Sequence, residues 1–83
     1  MAERRSTYVF HYEDNYKAAM NHIYREMRDD YNDYNRIYFY GYWGSCSQFG
    51  WDECYRVDIY DECSDPLRAS SLLREHDGKY YEM

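Results

Sequence analysis

Between Asp52 and Asp65 six carboxylates, Asp52, Glu53, Asp58, Asp61, Glu62 and Asp65, stand against Arg56 alone, and between Glu26 and Asp33 four more, Glu26, Asp29, Asp30 and Asp33, stand against Arg28. Carboxylates grouped in this way act on cations. Each can take the place of a nucleic-acid phosphate and receive two-pronged arginine contacts from a basic partner. Between the two groups lies the stretch Arg36-Ile37-Tyr38-Phe39-Tyr40-Gly41-Tyr42-Trp43-Gly44. Strand alternation puts Ile37, Phe39 and Trp43 on one face and Tyr38, Tyr40 and Tyr42 on the other. Tyrosine is enriched among the residues that dominate binding energy. The expected partner-binding set is therefore Asp29, Asp30, Asp33, Asp52, Glu53, Asp58, Asp61, Glu62 and Asp65, with Tyr38, Tyr40, Tyr42 and Tyr60 as aromatic anchors.

Other chemistries find less support. Asp30, Asn32 and Tyr34 occupy positions one, three and five of an EF-hand loop, but position six is Asn35 rather than glycine and position twelve is Gly41 rather than an acid. His11, His22, His76 and the three cysteines show no ligand spacing, and Glu26, one turn from His22, makes only a weak pair. No metal or other cofactor is expected. The chain contains no GxSxG, Walker A, GxGxxG or HExxH pattern, so no enzyme activity is expected. Cys46, Cys54 and Cys63 are odd in number and contain no CxxC, which points to free thiols in a reducing cytoplasm.

The elements that would position these residues follow from periodicity. Ser6 to Tyr12 reads as a first strand, with Tyr8, Phe10 and Tyr12 toward the core and Thr7, Val9 and His11 away from it. Glu13-Asp14-Asn15 supplies a cap and first-turn acids for a helix whose apolar face is Tyr16, Ala19, Met20, Ile23, Tyr24, Met27 and Tyr31. The aromatic strand follows, then a loop from Gly44 to Asp52. A strand from Glu53 to Tyr60 turns Tyr55, Val57 and Ile59 inward and Cys54, Arg56, Asp58 and Tyr60 outward. Ser64 or Asp65 caps a second helix that begins at Pro66 and stops at Gly78, and the tail from Lys79 to Met83 can add an edge strand. This order predicts one α+β domain spanning 1–83. It is a ferredoxin-like, split βαβ sandwich, with an antiparallel sheet of three to four strands and two helices on one face. The other face would be an open tyrosine surface joined by His11.

A net charge of −6 repels nucleic acid and anionic membranes and favours basic partners. No apolar run approaches the roughly 20 residues of a membrane span. An RNA-binding module, suggested by aromatic rings on an open sheet, would need a basic path that Arg36, Arg56 and Lys79 barely begin. The acidic run from Asp52 to Asp65, the aromatic strand from Ile37 to Trp43 and the small α+β domain together resemble the phage-encoded anti-defence inhibitors, notably anti-CRISPR proteins. The resemblance implies inhibition by occupying the nucleic-acid-binding surface of a host effector complex in the host cytoplasm, without catalysis or cofactor. A different expectation is a homodimeric adaptor domain that closes its tyrosine face against a second copy.

Overall fold

The computed structural model describes residues 2–83. The elements are β1 (Arg4–Phe10), α1 (Glu13–Glu26), α2 (Arg28–Tyr31), β2 (Ile37–Cys46), β3 (Trp51–Tyr60), α3 (Pro66–Glu75) and β4 (Lys79–Tyr80). The four strands form one antiparallel sheet in the order β2-β3-β1-β4, so β3 lies between the two strands that α1 connects. The expected α+β architecture is present, with three helices instead of two.

Both main helices cover the same sheet face. Tyr16, Ala19 and Ile23 of α1, with Ala69, Leu72 and Leu73 of α3, meet Tyr8, Phe10, Ile37, Tyr55, Val57 and Ile59 of the sheet in one buried cluster. Each fully buried Ile, Leu or Phe there contributes about 1.5–3 kcal/mol. The predicted inward faces of β1 and β3 are observed, except that β1 ends at Phe10. Tyr12 is exposed and serves as the residue before α1, whose start carries no side-chain cap. The expected long helix breaks at Met27 (φ −135°, ψ 53°), and one further turn, α2, carries Asp30 into the interior. Asp65 caps α3 by accepting from the Arg68 amide at 3.1 Å, with Pro66 just inside the helix as expected.

The end of α3 differs from expectation in its detail. Asp77, not Gly78, takes the left-handed conformation (φ 67°), and the amides of Asp77 and Gly78 return to the carbonyls of Arg74 and Leu73. Gly78 is required for a different reason. A Cβ there would lie 2.7 Å from the Leu73 carbonyl oxygen and 2.9 Å from Phe10 Cζ. Gly78→Ala is accordingly expected to cost about 1–3 kcal/mol through overpacking, measured by urea denaturation.

Strand β2 departs furthest from simple alternation. Its register against β3 shifts between Phe39 and Gly41, between Tyr42 and Gly44, and between Gly44 and Cys46, with Gly41 at φ 80° and Gly44 at φ 127°. At the first shift Tyr40 and Gly41 together oppose Arg56, and Tyr42 and Trp43 exchange faces before the second shift restores the alternation. Tyr42, expected beside Tyr38 and Tyr40, lies instead edge-on to the inward-facing Tyr55 at 5.9 Å. Trp43, expected in the core, crosses to the second face and packs over Arg56.

The second face is consequently only half open. Val9, Cys46 and Cys54 are buried there beneath Trp43, Phe49, Trp51 and Tyr81. The C-terminal segment holds this cover in place, as Tyr81 N donates to Thr7 O at 2.8 Å and Glu82 N to Gln48 Oε1 at 3.2 Å. Burial, reinforced by neighbouring Cys46, pushes the Cys54 thiol up to about 11, far from a reactive thiolate at neutral pH.

Candidate functional site

The uncovered half of the second face is built around Asp58, which is completely buried. Strand alternation places Arg56, Asp58 and Tyr60 of β3 on this side, Thr7 arrives from β1, and Tyr38 and Tyr40 arrive from the regular part of β2 before its first bulge. Arg56 grips the carboxylate with two prongs, Nε to Oδ1 at 3.0 Å and Nη2 to Oδ2 at 2.9 Å. Thr7 Oγ1 donates to Oδ1 at 2.7 Å, while the phenols of Tyr40 and Tyr60 donate to Oδ2 at 3.0 and 3.4 Å. The Arg56 guanidinium is clamped between rings, 4.4 Å from the centroid of Tyr40 and 4.6 Å from that of Trp43. Burial pulls the Arg56 pKa down, but Asp58 and the two phenols outweigh it and the net shift is upward. The pair is charged, desolvated and hydrogen-bonded on every side.

Burial, with Asp58 as acceptor, pushes the Tyr40 phenol up to about 12. At neutral pH it holds its proton, and Asp58 already accepts from five donors. The arrangement therefore favours a rigid support over an acid–base pair. A folded-state phenol pKa above the ordinary 10 contributes stability that is full below pH 10 and is lost as pH rises from 10 to 12. The wild-type protein is expected to lose stability across that window more steeply than Tyr40→Phe, in denaturant titrations at stepped pH.

Above this support lies a row of rings. Tyr38 stacks on Tyr40 with centroids 4.5 Å apart and planes within 17°, and Tyr34 adjoins Tyr38 at 6.0 Å. Tyr34, Tyr38 and Tyr40 are 70, 41 and 38 % exposed. Tyr34 was not among the residues expected from sequence, because an Asp- and Asn-rich turn carries no periodicity to mark the direction of its side chain. His11, expected on this face, lies at the covered end against Trp51, 4.8 Å between centroids.

The acids separate into two groups and into free and committed. Asp52 and Glu53 begin β3 while Asp61 and Glu62 follow it, so the contiguous run is drawn out over roughly 25 Å by strand rise alone. It does not form a single patch. Asp58 is not presented to solvent, because Arg56 consumes it. Asp30 is likewise buried, accepting from Ser64 N at 2.9 Å and Ser64 Oγ at 2.6 Å and so tying α2 to the β3–α3 loop. Asp65 caps α3, Asp33 accepts from Asn35 N at 2.9 Å, and Asp61 accepts from Glu3 N at 3.1 Å. Asp29, Asp33, Asp61, Glu62 and Asp65 belong to α2 and to the segments before β2 and after β3, joined where Tyr60 N donates to Arg36 O and Ser64 N to Asp30, while Asp61 itself turns to Glu3 on the β1 side. Tyr42, Asp52 and Glu53 belong to other parts of the surface.

A second polar cluster joins the helices. His22 Nδ1 is 3.0 Å from His76 Nε2, and its Nε2 is 2.5 Å from Glu26, which also pairs with Arg68. His76 was not expected as a partner, since nothing in the spacing of 22 and 76 links them. No group of three potential metal ligands occurs among the described residues, and no helix there is long and apolar enough to cross a membrane. No protein-family model, curated protein or solved structure matches the chain.

Proposed function

We propose that this chain is a non-enzymatic inhibitor that binds a basic nucleic-acid-binding protein or ribonucleoprotein complex, as anti-CRISPR-type nucleic-acid mimics do. The observation that carries the reading is the exposed row of Tyr34, Tyr38 and Tyr40 over a buried Arg56–Asp58 base, with Asp33 directly before Tyr34 and Asp61 and Glu62 directly after Tyr60 in the chain. Exposed rings accept arginine side chains on their faces, and carboxylates accept them edge-on. Tyr40 is held in one geometry by its bond to Asp58 before binding, which lowers the entropy cost of association. The fold itself we assign to the ferredoxin-like class, supported by the strand order and by β3 lying between β1 and β2. The setting we infer is the cytoplasm, that of the host for a phage-encoded protein, consistent with three buried free thiols.

The test is capture from bacterial lysate on immobilised protein, eluted in salt steps. A basic nucleic-acid-handling partner released by moderate salt and displaced by its own nucleic acid is the expected result, because screening weakens charge pairing. Asp61→Lys with Glu62→Lys should abolish capture with the fold intact by circular dichroism; unchanged capture removes these carboxylates from the surface. A second reading, a homodimeric adaptor, is favoured by the same exposed rings and requires a salt-resistant dimer in sedimentation. RNA binding loses its main cation, since Arg56 is committed to Asp58.

A further inference from the structure

At the end of the molecule away from the hairpin tip, a groove of about 420 Å³ lies between the last turn of α1, α2, Arg36 and the first turn of α3. Four of the chain's ten basic residues line it, Arg25, Arg28, Arg36 and Arg68, together with Glu26, Asp29, Asp30 and Asp65. The formal charges balance, but the hydrogen-bonding capacities do not. On the acidic side, Asp30 is occupied by Ser64, Asp65 by the Arg68 amide, and Glu26 by His22 and Arg68. Only Asp29 is unspent.

On the basic side most donors are unspent. Arg25 has no ion-pair partner among the described residues. Arg28 lies over the Tyr24 ring at 4.4 Å, an interaction that leaves its edge N–H groups available. Arg36 Nη1 stands 3.6 Å from Asp30 Oδ1 and its buried Nε 3.4 Å from Asp33 Oδ2, two ion pairs whose geometry falls short of a hydrogen bond. A buried donor without a full hydrogen bond is stabilised by an entering acceptor. Each guanidinium offers five N–H groups in a planar fork that matches tetrahedral oxyanions.

We propose that this groove binds a small phosphate-bearing molecule, a phosphomonoester or diphosphate, whose phosphoryl oxygens are taken by Arg25, Arg28 and Arg36. The volume exceeds what the phosphoryl group needs and falls in the range of small-molecule sites, so an organic moiety fits beside it. A nucleic-acid strand is disfavoured, because its many phosphates meet the field of a chain with net charge −6. The groove contains none of the tyrosines of the row, although Asp29 and Asp65 of the expected partner-binding set line it.

The experiment is a ¹H–¹⁵N NMR titration with sodium pyrophosphate, with a single-stranded DNA oligonucleotide as the comparison. Expected are saturable shifts confined to Arg25–Asp30, Arg36 and Ser64–Arg68, a dissociation constant below about 1 mM, and at least tenfold weaker binding in Arg25→Gln/Arg36→Gln. If that double variant does not fold, the exposed single variants Arg25→Gln and Arg28→Gln carry the test, each expected to weaken binding severalfold. Non-saturating shifts, shifts spread over Arg4, Arg5, Lys17 and Lys79, equal binding by the folded variants, or tighter binding of the oligonucleotide would each overturn the proposal.

Discussion

Asp58→Ala is expected to destabilise the protein by about 3–5 kcal/mol, the cost of removing one partner from a buried ion pair. Small domains have only about 5–15 kcal/mol in total, so the variant should melt at least roughly 12 °C lower or fail to fold. The size of the effect comes from what remains. Arg56, 6 % exposed and clamped between two rings, would keep its charge with no carboxylate to accept from it, and Thr7, Tyr40 and Tyr60 would lose their shared acceptor. Removing both charges together, as Arg56→Met with Asp58→Leu, leaves no buried ion behind and should be far less harmful than the single change. Calorimetry of the two variants decides the point: a loss below about 1 kcal/mol in Asp58→Ala would show that the network contributes little to stability.

One layer above, the expectation reverses. Tyr38→Ala should leave melting within a few degrees of wild type, since this ring is 41 % exposed and hydrogen-bonds nothing in the Asp58 network. Under the proposed function it should weaken partner binding about 30-fold or more, the hot-spot threshold of about 2 kcal/mol. Two losses combine: the contact of Tyr38 itself and the stacking that fixes the outer face of Tyr40. Calorimetric titration with the captured partner measures it. Unchanged affinity would move recognition away from β2.

The architecture was legible because it depends on period. Alternation in β1 and β3 and the three- and four-residue spacing in α1 assign inward faces that the cluster of Phe10, Ile23, Val57 and Ile59 reproduces. The faces of Tyr42 and Trp43 were not legible, because nothing in Tyr40-Gly41-Tyr42 distinguishes a glycine within a regular strand from one that absorbs an extra residue at φ 80°. A single bulge exchanged an anchor for a cover. The acids were legible as charge and not as surface. Sequence shows that Arg56 and Asp58 share a face; it does not show that Tyr40, Trp43 and Thr7 close over them. Asp30 is a similar case, since its partner Ser64 lies 34 positions away. The arginine groove was hidden for the same reason: Arg25, Arg28 and Arg68 come from three helices and Arg36 from the turn before β2, and they meet only in the folded chain.

The irregular register of β2 has a consequence for behaviour at high concentration. β2 is one border of the sheet, and its outward amides and carbonyls would ordinarily invite a strand from another molecule to join and extend it. Such growth requires evenly spaced pairing sites. Three register shifts within ten residues interrupt them after Phe39, and the opposite border, β4, is two residues long. A chain with 22 % aromatic residues is thereby kept from templating fibrils along its own edges, and copies that do meet must do so through side chains.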